Sequence, residues 1–412
     1  MMPLEFNTES GTVVAAEAWT MAEIDVAMEG ILTRFSSRLP LDFQAHIVLK
    51  PNLNNDLVAL TGNSTDLRVM AALIEGLQRR GFERITIADG SNVGVERRDI
   101  DTFKRLRVSA LAERLGVDTV NLNKDPGRRV KLHGGAEPRI SKLVEECDFL
   151  ISVPTIKTHV EAGLSCAMKN WVGIVVGQDK RQMHLAINRN IQAIHEHVAP
   201  DLVVVDGIIG MEGNGPGDGD PVRLGLLLGA SSAPLCDLVV AKMMGLEIDR
   251  IPYLGHALER GMLTPADVTA VDGEIQCHRS IEPAPERSRL AVLSEDPRLA
   301  WLKRAARPLT DKPGVAKAAY RLGVIQDVYS PVDDGVQGVK RTRSDCGTCS
   351  ACADACPTRL PLERIGVDTQ PPDCIGCLYC WWVCPDDVIT LDGPLEAMVR
   401  QADRYKAVIS GL

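Results

Sequence analysis

The chain lacks the sequence features that mark membrane and secreted proteins. No apolar run approaches the roughly 20 residues that cross a bilayer as a helix. The first ten residues, MMPLEFNTES, contain no basic segment followed by an apolar one. Cysteines that serve as thiolate ligands also suit a reducing compartment better than disulfides do. We therefore expect a cytoplasmic protein without a membrane span.

The chain also lacks an excess of basic residues. Its 46 lysines and arginines are outnumbered by 55 aspartates and glutamates, so the net charge is −9. A protein that binds nucleic acid non-specifically needs a basic face to neutralise phosphates. No nucleic-acid partner is expected, although a small anion could be bound locally.

Nucleotide-binding loops are missing as well. The glycine-rich segment 211–220, MEGNGPGDGD, has neither the G-K-S/T ending of an ATP-binding loop nor the G-x-G-x-x-G order of a dinucleotide loop. We interpret it as a flexible lid or site loop, in which Glu212 is a candidate acid or base.

Cysteine, by contrast, is abundant near the C-terminal end. Eight of the twelve cysteines form two copies of the pattern C-x2-C-x2-C-x3-C-P. In this spacing the first three thiolates bind one 4Fe–4S cluster, and the fourth, just before proline, binds the other. The sequence therefore predicts two 4Fe–4S clusters with crossed ligation, one held by Cys346, Cys349, Cys352 and Cys384, and the other by Cys374, Cys377, Cys380 and Cys356.

Zinc is the alternative ligand for such cysteines. All-thiolate zinc sites use two pairs of cysteines, which leaves the third and fourth cysteine of each copy unexplained. The remaining cysteines, at 147, 166, 236 and 277, are interpreted as small apolar core residues. Cys166 becomes a candidate reactive thiol only if the nearby Lys157, His159 and Lys169 converge on it.

The first 281 residues alternate between strand-like and helix-like patterns. Continuous apolar runs predict strands covered on both faces, at 45–49, 85–88, 119–122, 149–153, 202–205 and 224–228. Helical spacing falls between them, at 66–80, 101–115, 138–147, 187–198 and 235–245. This alternation predicts an α/β fold with a doubly wound, mostly parallel sheet in two lobes.

The rest of the chain divides into three further parts. Residues 282–340 are rich in proline and charge and read as a connector with one helical piece near 313–322. Residues 341–395 should form a small ferredoxin-like α+β domain around the clusters, and residues 396–412 a C-terminal tail. The connector either packs the cluster domain onto the α/β domain of residues 1–281 or tethers it flexibly.

Ligands of such sheets bind beyond the carboxyl ends of the strands. Asp89 and Asp206 each follow an apolar run there and are candidate substrate-binding residues, although turns also favour aspartate. Lys157, His159 and Lys169 stand in an apolar segment, together with Asn170. Because burying an unpaired ammonium group is costly, the lysines either reach the surface or face a cavity that binds an anion, with His159 as proton donor.

Three segments resemble the signature segments of the family called domain of unknown function 362. They are VPTIKTH at 153–159, AMKNWVG at 167–173, and the stretch from Asp206-Gly207 to MEGNGP at 211–216. The resemblance covers roughly residues 45–250. Members of that family often carry a two-cluster ferredoxin-like segment, and residues 340–393 resemble bacterial two-cluster ferredoxins. The resemblance implies a shared fold and site and does not name a reaction.

We therefore expect an iron–sulfur reductase. Electrons from an external donor such as a ferredoxin or flavodoxin would pass through the clusters to a small anionic or carbonyl-containing substrate. Lys157 and Lys169 would stabilise the charge that grows on reduction, and His159 or Glu212 would deliver protons. The alternative is an electron carrier or redox sensor whose α/β part docks a partner, with Trp381-Trp382 either at the docking surface or in the core.

Overall fold

The structure, a computed structural model, describes residues 4–285, 329–330, 332–343, 346–367 and 371–412. Most of the connector, including the helical piece predicted near 313–322, lies outside these residues. Within these residues the strands are β1 Leu4–Thr8, β2 Gly11–Glu17, β3 Ile47–Pro51, β4 Ile85–Asp89, β5 Asp118–Asn121, β6 Gly127–Arg129, β7 Arg139–Ser141, β8 Phe149–Val153, β9 Thr155–His159, β10 Gly163–Ser165, β11 Leu202–Glu212, β12 Asp220–Ala230, β13 Gly338–Arg341 and β14 Ile389–Asp392.

Helices cover both faces of the sheet and part of the C-terminal region. In the described residues they are α1 Met21–Arg34, α2 Leu67–Arg79, α3 Val93–Glu96, α4 Thr102–Arg105, α5 Val108–Leu115, α6 Lys142–Glu146, α7 Ala167–Asn170, α8 Ile187–His197, α9 Ala233–Met243, α10 Pro252–Glu259, α11 Pro265–Glu274, α12 Ala351–Asp354, α13 Tyr379–Trp382 and α14 Val399–Ser410. Within that part of the chain no helix is long and apolar enough to cross a membrane.

Ten strands form one sheet in the order β1-β2-β12-β11-β8-β3-β4-β5, with β9 paired to β11 and β10 to β9. The strands from β11 to β5 are parallel, and β12, β2 and β1 extend the sheet with antiparallel pairs. The α/β fold with helices around a parallel centre is thus as predicted. The expected division into two lobes is wrong, because the β11–β12 hairpin joins its strands directly to the parallel strands instead of starting a second sheet.

Two apolar cores lie on opposite faces of the sheet. On β3, Ile47 and Leu49 belong to one core and Val48 to the other, as alternation along a strand requires. Helices α1, α2 and α5 cover the first face, and α7 to α11 cover the second. Continuous apolar runs such as FLISV in β8 are buried throughout, since both of their faces meet helices.

Helix α2 shows how a short sequence signal sets a boundary. Asp66 caps its N-terminus by accepting a hydrogen bond from the Arg68 amide, and the chain leaves the helix at Gly81, whose φ is +94°. The predicted helix 66–80 is therefore confirmed. The predicted helix 138–147 is wrong in its first part, because residues 139–141 pair with β6 as the strand β7.

The C-terminal region packs on the face formed by α1 and α2. Cys352, Tyr379, Trp382 and Tyr405 belong to the same core as those helices. Arg359 forms ion pairs with Asp25 of α1 and Glu75 of α2, each at 2.6 Å. The predicted tail contains α14, whose Gln401 side chain donates to the Asp56 carbonyl and accepts from the Val58 amide. The described part of this region is therefore attached to the α/β domain by several contacts.

Candidate functional site

The eight motif cysteines are gathered into two groups of four. Cys356, Cys374, Cys377 and Cys380 line a cavity of about 460 Å³. A separate, smaller cavity is lined by Cys346, Cys349, Cys352 and Cys384. Each group thus combines three cysteines of one motif copy with the fourth cysteine of the other copy.

The backbone around these cysteines supports ligation by sulfur. Gly347 and Gly376 adopt positive φ values of 59° and 66°, which turn the loops tightly. The Gly376 amide lies 3.4 Å from the Cys374 sulfur, and the Leu360 amide lies 3.4 Å from the Cys356 sulfur. Burial raises the pKa of the Cys352 thiol to about 11. Four thiols around a shared cavity fit a 4Fe–4S cluster at each group, and amide donors to sulfur are present in the group of Cys356 and Cys374.

The two adjacent tryptophans are placed differently. Trp382 is fully buried in the core, whereas Trp381 is half-buried, packs edge-on against Trp382 with 5.2 Å between ring centroids, and has Lys406 over its ring. Core packing therefore holds for Trp382.

A second kind of site lies at the carboxyl ends of the parallel strands. A cavity of about 300 Å³, called here the lysine cavity, is lined by side chains from β3, β4, β9, α7 and the segment Gly177–Leu185. Its charged and imidazole side chains are Lys50, Asp89, Lys157, His159, Glu161, Lys169, Lys180, Arg181 and His184. Pro216 of the glycine-rich loop also lines it.

A buried ion pair between Lys50 and Asp89 lines the lysine cavity. The Lys50 Nζ atom lies 2.6 Å from Asp89 Oδ1, and both side chains are about 98% buried or more. Asn170 accepts from Lys50 Nζ at 2.9 Å and donates to the Lys50 carbonyl and to Ser152 Oγ. A side chain at Gly173 would come too close to both members of the ion pair and would displace them.

Three further lysines face the cavity. Lys157 donates to Asn52 Oδ1 at 3.2 Å and to the Asn63 carbonyl. Lys180 donates to Asn123 Oδ1 and to the Val175 carbonyl. Lys169, on α7, has no hydrogen bond with any described residue.

Burial changes the protonation of these lysines. It lowers the pKa of Lys157 to about 7, with help from the Lys169 charge, and lowers the pKa of Lys180 to about 7. It lowers the pKa of Lys169 to about 8, although Glu161 opposes the shift. The lysines therefore exchange protons near neutral pH.

His159 is held in one tautomer. Its Nδ1 atom accepts from the Glu161 amide at 3.0 Å and from the Ala162 amide at 3.2 Å, so the hydrogen-bond network places the ring proton on Nε2. Burial, and then the Lys169 charge, lower the pKa of His159 well below its usual value. His159 is therefore a neutral hydrogen-bond donor, and the lysines are better matched than His159 to store a proton at neutral pH.

Glu161 is paired with His184. The two side chains are 2.9 Å apart. Burial opposes ionisation of Glu161, yet the hydrogen bond from His184 lowers the pKa of Glu161 to about 2. This carboxylate therefore has a hydrogen-bond partner of its own and also feels the charge of Lys169.

The structure brings together five of the seven predicted catalytic and substrate-binding residues. Lys157, His159, Lys169, Asn170 and Asp89 line the lysine cavity. Asp206 and Glu212 lie outside it.

The two outlying carboxylates have other contacts. Asp206 accepts from the amides of Asp66 and Ile208, and Glu212 accepts from the Glu282 amide at 2.8 Å. Burial, together with the Asp66 charge, raises the pKa of Asp206 to about 7.

Sequence reasoning missed Lys50, Glu161 and Lys180. Lys50 had a usable signal, because it interrupts an apolar strand just before the strand end. Lys180 had none, because it lies in the mostly polar 3₁₀ helix Gly177–Leu185, whose sequence is typical of a surface segment.

A short segment connects the lysine cavity to the cysteines. Lys157 contacts the Asn63 carbonyl at one end of the segment Asn63–Leu67. At the other end, the Leu67 amide donates to the Tyr379 hydroxyl at 3.2 Å. Tyr379 stands between Cys377 and Cys380 in the chain and lines their cavity. The second group of cysteines is therefore attached to the backbone that holds Lys157.

The two buried cysteines outside the motifs, Cys166 and Cys236, lie beside Asp237 in the core. Cys166, Cys236 and Asp237 offer ligand atoms within 4.8 Å of one another. The Asp237 oxygens already accept from the Ala167 and Met168 amides, at 2.7 and 3.0 Å, and from the Tyr253 hydroxyl. Burial raises the pKa of Cys166, as does its hydrogen bond with Cys236. A reactive Cys166 thiolate is disfavoured, which agrees with the interpretation as a core residue. Cys277, in contrast, is exposed, so the same interpretation is wrong for it.

Comparison with known proteins supports the family resemblance of the α/β part. Residues 47–242 match the family described as Domain of unknown function (DUF362). The predicted ferredoxin-like segment stays a prediction.

Two curated relatives share parts of the chain. The thylakoid-associated protein sll1697 of Synechocystis is 33% identical over 134 residues, which is 31% of this chain and 41% of that protein. The putative electron transport protein YccM of Escherichia coli is 32% identical over 47 residues, 11% of this chain and 13% of that protein. The matches thus span less than half the length of either relative. The lactate racemase apoprotein of Thermoanaerobacterium thermosaccharolyticum aligns at 12% identity and a TM-score of 0.36, over 58% of this chain and 62% of that one.

Proposed function

We propose that the protein is an iron–sulfur oxidoreductase with two 4Fe–4S clusters. The observation that carries this proposal is the sorting of the cysteines into two cavities, each with three cysteines of one motif copy and the fourth of the other. Crossed ligation is the arrangement that the duplicated spacing predicts for a pair of such clusters. The short match to a putative electron transport protein is a weak sign in the same direction.

The substrate is a small anionic or carbonyl-containing organic molecule in the lysine cavity. Lysine ammonium groups that have no carboxylate partner among the described residues would stabilise charge that develops on a carbonyl oxygen during reduction. When bound, the clusters would supply electrons one at a time. Reduction of a carbonyl to an alcohol consumes two electrons from an external donor and two protons.

The residues of the chain have distinct tasks in this reaction. Lys157 and Lys169 bind the anionic or carbonyl group, and Lys157, with a pKa of about 7, can give up a proton at neutral pH. His159 orients the substrate by donating a hydrogen bond from Nε2. Asn170 and Asp89 hold Lys50 in place.

Anaerobic purification tests the proposal. We expect about eight iron atoms and about eight sulfides per chain, and a paramagnetic signal after strong reduction. The reduced protein should then be reoxidised by one member of a panel of small keto acids and other organic anions. Stoichiometric zinc, or about four iron atoms, would contradict the cofactor assignment. Full iron content without reoxidation by any small molecule would favour the electron carrier that docks a protein partner.

A further inference from the structure

Three ammonium groups of the lysine cavity have no carboxylate partner among the described residues. Lys157 and Lys180 donate only to amide and carbonyl oxygens, which are neutral. Lys169 donates to no described atom. Among the other ionic groups of the cavity, Lys50 pairs with Asp89 and Glu161 contacts His184, while Arg181 adds a further positive charge to the lining. The cavity therefore carries an uncompensated positive charge, which costs free energy unless an anion enters.

The three lysines are divided between two positions. Ser165 of β10 is paired with Lys157 of β9 and lies four residues before Lys169, so the fold places Lys157 and Lys169 near each other. Lys180 donates instead to Asn123 Oδ1 and the Val175 carbonyl, and its Nζ atom lies beside Gly90, just beyond the end of β4. The hydrogen-bond partners of Lys157, Asn52 and Asn63, are different ones, so the cavity has one position with two uncompensated lysines and another with one.

We propose that the ligand of this cavity is a small molecule with two anionic groups, called here a dianion, in which Lys157 and Lys169 bind one anionic group and Lys180 binds the other. The proposal rests on the function proposed for the same cavity and adds its substrate class: a short dicarboxylate, or a carboxylate that also carries a phosphate. A cavity of about 300 Å³ admits only a small molecule of this kind. Each lysine keeps hydrogen-bond capacity for it, because an ammonium group has three donors and the protein uses at most two.

Matched pairs of anions test the proposal by calorimetry on the full anaerobic chain, with the clusters oxidised and no electron donor present. One pair is 2-oxoglutarate and 2-oxopentanoate, which differ by one carboxylate. The other is 2-phosphoglycolate and glycolate, which differ by one phosphate. We expect at least one dianion to bind tenfold or more tightly than its monoanionic partner. Which pair shows the preference identifies the second anionic group.

Variants assign the two positions. Lys180→Met and Lys169→Met should each weaken dianion binding tenfold or more, and Lys180→Met should leave the dianion no tighter than the monoanion. Lys169→Met is the safer variant for folding, because Lys169 has no hydrogen bond with a described residue. Lys124→Met is the control, since it removes one charge from a side chain that is 70% exposed and outside the cavity.

Equal affinity for dianions and monoanions in both pairs would overturn the proposal. It would also be overturned if Lys124→Met weakened dianion binding as much as Lys169→Met and Lys180→Met do. Because no electron transfer is measured, these outcomes are separate from those of the proposed function. A protein without iron that still prefers dianions would refute the reductase and retain the dianion. A protein with both clusters and no preference for dianions would refute the dianion ligand and retain the reductase proposal.

Discussion

At the scale of single residues, four lysines meet at one cavity and differ in how they are compensated. Lys50 has Asp89 as a partner at 2.6 Å, whereas Lys157, Lys169 and Lys180 have only neutral partners or none among the described residues. Lysine is almost never fully buried without a counter-charge. The uncompensated lysines are therefore the residues whose replacement should affect binding and turnover more than folding.

Replacing Lys157 or Lys169 by methionine should slow the reaction without removing the clusters. If each contact stabilises the transition state by about 3 kcal/mol, turnover falls roughly 100-fold. Steady-state kinetics with the substrate identified from the panel measures the loss, and iron analysis checks the clusters. Normal turnover in both variants would place the reduction elsewhere.

His159→Gln should lower turnover less than removal of a general acid would. Since His159 is neutral and donates a hydrogen bond from Nε2, glutamine retains a donor, and we expect a loss of roughly tenfold or less. A loss of roughly 100- to 10,000-fold, as for a general acid, would show that His159 transfers the proton instead of a lysine. The kinetic comparison is with Lys157→Met under the same conditions.

Binding of a dicarboxylate should weaken as the pH rises. The pKa values of Lys157 and Lys180 are about 7 and that of Lys169 about 8 in the empty cavity, so the lysines lose charge between about pH 6.5 and about pH 9. A bound anion raises these pKa values, so binding takes up protons. The other charged or titratable groups that face the lysines are Lys50, Asp89, His159, Glu161, Arg181 and His184.

Calorimetry in two buffers of different ionisation enthalpy measures this proton uptake. The dissociation constant should increase about tenfold or more over that pH range. The carboxylates of the ligand stay ionised throughout, so the change reports on the protein. Proton release, or an affinity that does not change with pH, would contradict the assigned protonation of the lysines.

At the scale of elements, the break between α4 and α5 places one side chain beside the cysteines. A single helix is predicted at 101–115, but Arg107 adopts a left-handed conformation with φ 62° and separates two short helices. Its guanidinium lines the cavity of the second cysteine group and lies 3.9 Å from where a side chain at Gly376 would begin. A left-handed conformation at a non-glycine residue costs roughly 1 kcal/mol of folding free energy. At Arg107 this conformation accompanies a positive charge placed near the Cys374 loop.

Arg107→Gln should lower the reduction potential of the cluster bound by the second group. A nearby positive charge stabilises the reduced, more negative cluster. We expect a shift of about 59 mV or less, the equivalent of a tenfold change for one electron. Redox titration followed by paramagnetic resonance measures it. Arg107→Lys, which keeps the charge, should restore most of the potential, and equal potentials in all three proteins would contradict the electrostatic role.

At the scale of the whole molecule, the cysteine region is fixed to the α/β domain at several points. Arg359, Gln401 and Tyr405 contact the α/β domain, and Tyr379 accepts from the amide of Leu67. The described contacts favour packing over a flexible tether. They also place the second cysteine group, rather than the first, on the segment that leads to Lys157.

Cys356→Ala tests the crossed arrangement across the whole region. Because Cys356 lies with Cys374, Cys377 and Cys380, its loss should damage the cluster of the second motif and leave the cluster of its own motif intact. Mössbauer or paramagnetic resonance spectra of the variant distinguish the two. Cys277→Ala is the control, since Cys277 is exposed and outside both groups. Damage restricted to the cluster of the first motif would refute the crossing.

The sequence alone determined the features that depend on local pattern. Buried parallel strands are apolar on both faces, so runs such as 149–153 predicted β8 with its observed bounds. The duplicated cysteine spacing predicted which thiols share a cavity, because a short loop leaves little freedom in how three cysteines converge. Strand ends meet at one edge of a parallel sheet, so Asp89 and the segment around Lys157 could be assigned to one site.

Only the tertiary structure decided the features that depend on contacts distant in sequence. Lys180 reaches the cavity from the segment Gly177–Leu185. Asp206 and Glu212 instead accept hydrogen bonds from the backbone amides of Asp66 and Glu282, outside the cavity. The surroundings of the Arg107 side chain include the loop of Gly376, more than 260 residues further along the chain. Whether a buried lysine is paired or unpaired is set by which side chains the fold brings within a few ångströms of it. No local pattern in the sequence contains that information, because the electrostatic and hydrogen-bond energies depend on distance in space and not along the chain.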